Sequence, residues 1–328
     1  MISSLIIYSI LSFIIFISLS IFSYKLNLVD IPNKRKKHII PTAYTGGLAI
    51  SFAYVVSLLL FDIGQKLNLI MSISFLMAIV GFIDDKYHLN IGGKLSLQII
   101  PIVYLIIIEN FNLQQIGDYN FINLKLNSFS IPFTLLSVIF LINSFNYFDG
   151  LDGTLSFISI STLTILFFLI TDETIIMFLI TMLVPLCVFL CFNFSIFKLP
   201  KLFLGDSGSL LLGFVISFLL IYLANNNIVH PILLAWSIQI FVYEFTSINL
   251  IRLKNKKDLF AAGLDHLHHV LIKKTKSVFL TNFLMCITNI ILFIIGYLAF
   301  TFISPLASLI LFIIFFVIFF ILRNKYFI

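Results

Sequence analysis

Charge and cysteine are both scarce in this chain. Of its 328 residues only 10% are Asp, Glu, Lys or Arg, and the cysteines are three, Cys187, Cys191 and Cys286, all set in apolar stretches. Without a CxxC or a Cys/His spacing, neither a disulfide framework nor a thiolate zinc site is available. The three read as small buried apolar residues. The sequence also lacks room for a soluble domain and shows no internal repeat of the kind many carriers have. No basic surface is interleaved with aromatics, so the net charge of +6 points to membrane topology and away from nucleic acid.

What fills the chain is apolar. Hydrophobic residues make up 61%, with 39 phenylalanines, and the mean hydropathy is +1.15. A soluble fold cannot hide that much apolar surface, so lipid must solvate it. The expected fold is an all-α polytopic membrane protein, one integral-membrane domain over 1–328. Its first segment, ISSLIIYSILSFIIFISLSIFSY, lacks a charged n-region and a small-residue cleavage site, which predicts a retained span. A span needs ~20 apolar residues to cross ~30 Å of hydrocarbon. Runs of that kind fall at roughly 2–23, 46–61, 67–83, 95–109, 131–148, 154–171, 174–194, 208–224, 230–251, 278–300 and 303–322, about eleven in all. The run 95–109 is short and carries Gln98 and Pro101.

An outside N-terminus places 24–45, 84–94, 149–153, 195–207, 252–277 and 323–328 on one side, with 18 of the 20 lysines and arginines; Lys66 and Lys125 fall opposite. Cytoplasmic loops carry such an excess. The loop 110–130 alternates polar and apolar residues and predicts a small hairpin on the outer membrane surface.

The acids gather on the basic side. Asp84 and Asp85 end the third run in GFIDD, Asp149 and Asp152 follow the fifth in NSFNYFDGLDG, and Asp206 opens the eighth in FLGDSGS. His266, His268 and His269 lie in the last basic loop as HLHH. Each alone has an ordinary explanation as a solvated helix end, a cap or a surface residue. Their conjunction at one membrane level points to function. Carboxylates without cysteine suit a hard cation such as Mg²⁺, and neighbouring glycines admit close backbone approach. The helix after GDSGS aims its N–H groups at an anion, and Arg35, Lys36, Lys37 and His38 add cationic partners for phosphate. Together they predict phosphoryl transfer at the cytoplasmic surface of the membrane. Asn143, Asn146, Asp149 and Asp152 recur every third residue, yet each such step turns an α-helix by about 60° from alignment. The asparagines can share a face, while a turn at Gly150 or a short 3₁₀ stretch must aim the two acids.

Five segments, VDIPNKRKKHIIPTAYTGG, GFIDD, NSFNYFDGLDG, FLGDSGS and HLHH, occur in an order that resembles the polyprenyl-phosphate N-acetylhexosamine-1-phosphate transferases, the MraY/WecA superfamily (glycosyltransferase family 4). The resemblance runs from Val29 to about Leu271. It implies transfer of N-acetylhexosamine 1-phosphate from a UDP-N-acetyl sugar to undecaprenyl phosphate, with release of UMP, as the first step of an envelope glycan. It implies a Mg²⁺ or Mn²⁺ cofactor, a bacterial cytoplasmic membrane location and a homodimer. Asp206 and Asp149 are implied as metal ligands. Asp84 and Asp85 are placed near the reacting phosphates, Asp84 as a candidate acceptor of the lipid phosphate's proton. Asn143, Asn146, Asp149 and Asp152 are implied around the nucleotide sugar, Phe203 stacked on uracil, and His268 and His269 at the diphosphate. Ser209 and His266 join the substrate-binding set.

The HxHH arrangement resembles the WecA-like branch and favours UDP-N-acetylglucosamine. Three departures bear on the sugar: Gly263-Leu264 before Asp265 where Asp-Arg is common, Glu244 where an Asp is usual, and Ala43-Tyr44 where Pro-Arg is common. A 6-deoxy N-acetylated sugar is an alternative, as are a catalytically dead scaffold of the same fold and an ion- or proton-coupled transporter using the acids.

Overall fold

The computed structural model describes residues 2–32, 41–256 and 266–326. Helices dominate: α1 (Ile2–Lys25), α2 (Gly46–Leu60), α3 (Gln65–Tyr87), α4 (Ile91–Val103), α5 (Ser130–Phe148), α6 (Thr154–Leu169), α7 (Glu173–Asn193), α8 (Gly205–Asn225), α9 (Pro231–Ser237), α10 (Gln239–Lys254), α11 (Leu267–Thr275), α12 (Val278–Phe302) and α13 (Pro305–Tyr326). Among the described residues, strands form two antiparallel ribbons, β1 (Val29–Asp30) with β2 (Thr42–Ala43) and β3 (Gln115–Asp118) with β4 (Asn123–Lys125). Many of these helices are rich in Ile, Val and Phe, poor helix formers in water. In hydrocarbon no water competes for the backbone, so the helix is the one local structure that satisfies every N–H and C=O.

Among the described residues, eight helical segments are long and apolar enough to cross a membrane, or nine if α9 and α10, bent by 72°, count as one span. The apolar runs at 46–61 and 154–171 become α2 and α6, of 15 and 16 residues. At 1.5 Å per residue such helices fall short of a ~30 Å core. The run at 95–109 forms α4 with Pro101 inside it, then a π-helical turn over Tyr104–Ile108; a proline without an N–H breaks the regular ladder. The run at 230–251, expected as one span, is broken at Ile238. There the freed Ser237 carbonyl accepts from Thr162 Oγ1 at 3.0 Å and from Asn289 Nδ2 at 3.4 Å. The hairpin expected within 110–130 is present as β3–β4.

The described chain forms two compact units. The first comprises Met1–Pro101 and Thr171–Ile216. In it α1, α2, α3 and α7 pack together; Phe16 stacks on Phe192 with centroids 5.4 Å apart, and the buried Tyr8 hydroxyl donates to the Thr181 carbonyl at 2.9 Å. The second comprises Ile102–Ile170 and Ser217–Ile328. In it α12 packs on α6, α9, α11 and α13, and α5 packs on α10 through Phe145 stacked on Phe241 at 3.9 Å. Gly296 leaves space for the Trp236 indole, whose Nε1 donates to Ser308 Oγ at 3.0 Å. Helix α8 is buried from Ser207 to Ile221, whereas α1 and α13 leave many large apolar side chains exposed, as lipid-facing helices must.

Candidate active site

In the first unit, backbone hydrogen bonds stitch the end of VDIPNKRKKHIIPTAYTGG to FLGDSGS. The Phe203 N–H donates to Ala43 (2.8 Å), Gly46 to the Phe203 carbonyl (3.0 Å) and Gly47 to Leu204 (2.8 Å). A Cβ at Gly47 would overlap the Gly208 backbone, and one at Gly81 would overlap the backbone of Asp206 and Ser207. These two positions must lack side chains for α2 and α3 to reach the start of α8.

The last turns of α3 then deliver the DD pair. Asp85 accepts the N–H of Asp206 at 3.0 Å and that of Ser207 at 3.3 Å. The N-terminus of α8, expected to face a substrate anion, is thus occupied by one of the chain's own carboxylates. Gly205 has φ +72°, and a Cβ there would lie 2.6 Å from Asp85 Oδ2, so conformation and space both require glycine. Asp84 is 8% exposed. Its Oδ1 accepts the Leu89 N–H at 2.9 Å, and its Oδ2 meets Lys94 Nζ at 2.7 Å. The same ammonium also pairs with Asp206 Oδ2.

The sequence does not single out Lys94. Its signal was slight: one charge in IGGKLSLQ, at the mouth of an apolar run. Its ammonium shows that Asp84 and Asp206, from different helices, converge on one cation. Two carboxylates supply an oxygen-only donor set of the kind Mg²⁺ takes, with water and phosphate oxygens completing its shell. Among the described residues, no three His, Cys, Asp or Glu side chains form a ready-made metal cage.

Phe203 is half-buried, with Lys201 Nζ 5.4 Å from its ring centre. Ser209 is fully buried within α8, its hydroxyl 3.4 Å from the Asp206 carbonyl. Arg35, Lys36, Lys37 and His38 lie outside the described residues, as do Gly263, Leu264 and Asp265.

In the second unit, α5 ends at Phe148 and the chain turns through 149–153, so the turn, and no 3₁₀ segment, redirects the acids. The left-handed residue is Gly153, at φ +71°, before α6. Gly150 serves proximity: a Cβ there would overlap His268 Nε2 and approach His269 Nε2 to 3.2 Å. NSFNYFDGLDG and HLHH, distant in sequence, are therefore in direct contact. Asn282 of α12 pins the turn, donating to the Asp152 carbonyl at 2.9 Å and accepting from Thr154 Oγ1 at 2.6 Å. Asn143 donates back to the Ile139 carbonyl at 2.8 Å. Asn146, Asp149 and Asp152 are half-buried around the turn.

The three histidines form one cluster. The rings of His268 and His269 have centroids 4.2 Å apart, and His266 lies 5.7 Å from His268, nearly parallel to it. His268 is 1% exposed, and among the described residues its Nε2 has no hydrogen-bond partner. Burial, reinforced by His269, His266 and Arg323, holds its pKa well below the usual histidine value, which favours the neutral ring. The cluster rests on Glu244, whose Oε1 accepts the Leu267 N–H at 2.8 Å. Glu244 also binds Arg323 through two hydrogen bonds of 2.9 Å. Nothing in LRNKYFI distinguishes Arg323 from an ordinary basic residue at a helix end.

The family model for glycosyl transferase family 4 matches residues 67–224, which carry GFIDD, NSFNYFDGLDG and FLGDSGS. The chain is 26% identical over 258 residues to an undecaprenyl-phosphate alpha-N-acetylglucosaminyl 1-phosphate transferase of Yersinia pestis, covering 76% of this chain and 70% of that protein. It is 29% identical over 296 residues to a probable undecaprenyl-phosphate N-acetylglucosaminyl 1-phosphate transferase of Bacillus subtilis, covering 82% of this chain and 78% of that one. The corresponding Escherichia coli K12 transferase is 23% identical over 258 residues.

Proposed function

From a chain that is a transferase of the MraY/WecA superfamily, we propose transfer of N-acetylhexosamine 1-phosphate from a UDP-sugar to undecaprenyl phosphate. A lipid phosphate oxygen bonds to the sugar-bearing phosphorus, the bond between that phosphorus and the UMP oxygen breaks, and UMP leaves. The names of the relatives support an N-acetylglucosaminyl group, and HLHH supports the WecA-like branch. The product is the lipid-linked start of an envelope glycan.

The observation that carries this reading is the convergence of Asp84 and Asp206 on one cation, the Lys94 ammonium. In the first unit, Asp206 is proposed to hold Mg²⁺ or Mn²⁺, which when bound neutralises diphosphate charge. Asp84 orients or deprotonates the lipid phosphate, Phe203 offers a face to the uracil, and Asp85 keeps the GDSGS backbone in place. In the second unit, neutral His268 with His269 and His266 donates hydrogen bonds to phosphate oxygens, and the turn bearing Asp149 and Asp152 with Asn146 binds polar groups of the donor.

The same reading gives eleven membrane passages, with α2 and α6 as the short ones, an outside N-terminus and catalytic loops at the cytoplasmic face. The lysine and arginine distribution supports that orientation. Coupled transport finds less support, since the deepest acid, Glu244, is committed to Arg323.

The test supplies purified protein with undecaprenyl phosphate and a panel of UDP-sugars, scoring UMP release and the mass of the lipid product. UMP release should require a divalent metal, and Asp206→Asn should abolish it in protein that still inserts. No UMP with any sugar or metal sinks the proposal.

A further inference from the structure

Helix α13 exposes apolar residues along most of its length, yet its last turn holds Arg323 at 2% exposure. Its partner Glu244, on α10, is 1% exposed. Burying a full charge from each of two helices is costly and is recovered only with good geometry and further hydrogen bonds. Both are present: the guanidinium meets the carboxylate through Nε and Nη2, each at 2.9 Å. The carboxylate also accepts the Leu267 N–H at 2.8 Å. That amide belongs to the first turn of α11, whose N-terminal donors lack partners within the helix. His266 precedes it and His268 and His269 follow it.

We propose that Glu244 and Arg323 form a positioning clamp that fixes the first turn of α11 and thereby aims the histidines at the DG turn. Arg323 fixes the carboxylate, the carboxylate fixes the Leu267 amide, and the amide sets the angle at which His268 leaves the backbone. Glu244 and Arg323 are positioning residues, acting through α11. The catalytic consequence rests on the transferase reading, but the placement of the histidines does not.

The experiment compares two double variants that each remove both buried charges. Glu244→Gln with Arg323→Met keeps a carbonyl oxygen for the Leu267 amide; Glu244→Leu with Arg323→Met does not. Diethyl pyrocarbonate, which modifies accessible neutral imidazole, is applied to the intact protein in detergent, and His268 modification is followed by peptide mass. Wild type should protect His268 fully, the Gln/Met variant, which keeps an acceptor for the Leu267 amide but loses Arg323's hold on it, should protect it in part, and the Leu/Met variant should expose it. The Leu/Met variant should also lose kcat by about 100-fold, the scale of a small misplacement of reacting groups, with substrate KM values little changed. Backbone exchange of the 266–270 peptide in wild type is a measurement that needs no variant, and slow exchange at Leu267 is expected. Equal protection in both variants, or rapid exchange at Leu267 in wild type, overturns the clamp. If wild type releases no UMP while protection follows the expected pattern, the transferase reading fails and the clamp stands. If UMP is released but protection is indifferent to the variants, the clamp alone fails.

Discussion

The Asp85 carboxylate receives the backbone N–H of Asp206 at 3.0 Å. One aspartate of the candidate site thus holds another by its main chain, at the point where α8 begins. The neighbouring Asp84 is instead paired with Lys94. Two adjacent and identical side chains have been given different physical tasks, one structural and one facing a cation.

The first consequence concerns stability. Asp85→Ala removes the acceptor of two amide N–H groups and should cost about 1–2 kcal/mol, as the loss of a side-chain cap does. Asp85→Asn retains one carbonyl oxygen and should cost less. Thermal unfolding in detergent measures both. An alanine variant as stable as wild type would show that the cap is not used.

Lys94 supplies positive charge to two acids, so its removal should change the response to metal. In Lys94→Gln, Asp84 and Asp206 lose their built-in cation and repel each other. Added Mg²⁺ should then raise the melting temperature more than it does in wild type, by binding the folded form preferentially. The comparison is made with and without a chelator. An equal Mg²⁺ response in both proteins contradicts the convergence of the two carboxylates.

Glycines differ sharply in what a methyl group would meet. Gly47→Ala must push a Cβ into the Gly208 backbone, and overpacking of this kind costs about 1–3 kcal/mol or more. Gly92→Ala is the control: its Cβ would approach only the Asn90 side chain, at 3.7 Å, and α4 gains helix propensity. Gly47→Ala should unfold at lower temperature than wild type, and Gly92→Ala at the same or a higher one.

His268 ties stability to pH. Its folded pKa is depressed by burial and by His269, His266 and Arg323, while the unfolded chain titrates near the ordinary value of about 6.5. Above that value both states are neutral and the full stability is present. Below it the unfolded state takes up the proton first, so stability falls as the pH drops toward the folded pKa, by up to about 1.4 kcal/mol per pH unit. His268→Gln should flatten the stability profile below pH ~6.5. An unchanged slope would mean that another group carries it.

The sequence alone determined the solvent and the chemistry. Its long Ile- and Phe-rich runs admit only helices in lipid, because no other local structure satisfies the backbone there. The acids and histidines that interrupt those runs mark the loops of the candidate site, since such groups are expensive near hydrocarbon. Tertiary structure decided the rest, because it depends on which backbones can touch. The break at Ile238 has no glycine or internal proline to announce it; Thr162 and Asn289, far away in sequence, donate to the freed Ser237 carbonyl. The same holds for the separate tasks of Asp84 and Asp85, for Lys94 and for Arg323. A side chain's role follows from the partner brought to it, and packing across distant segments chooses that partner.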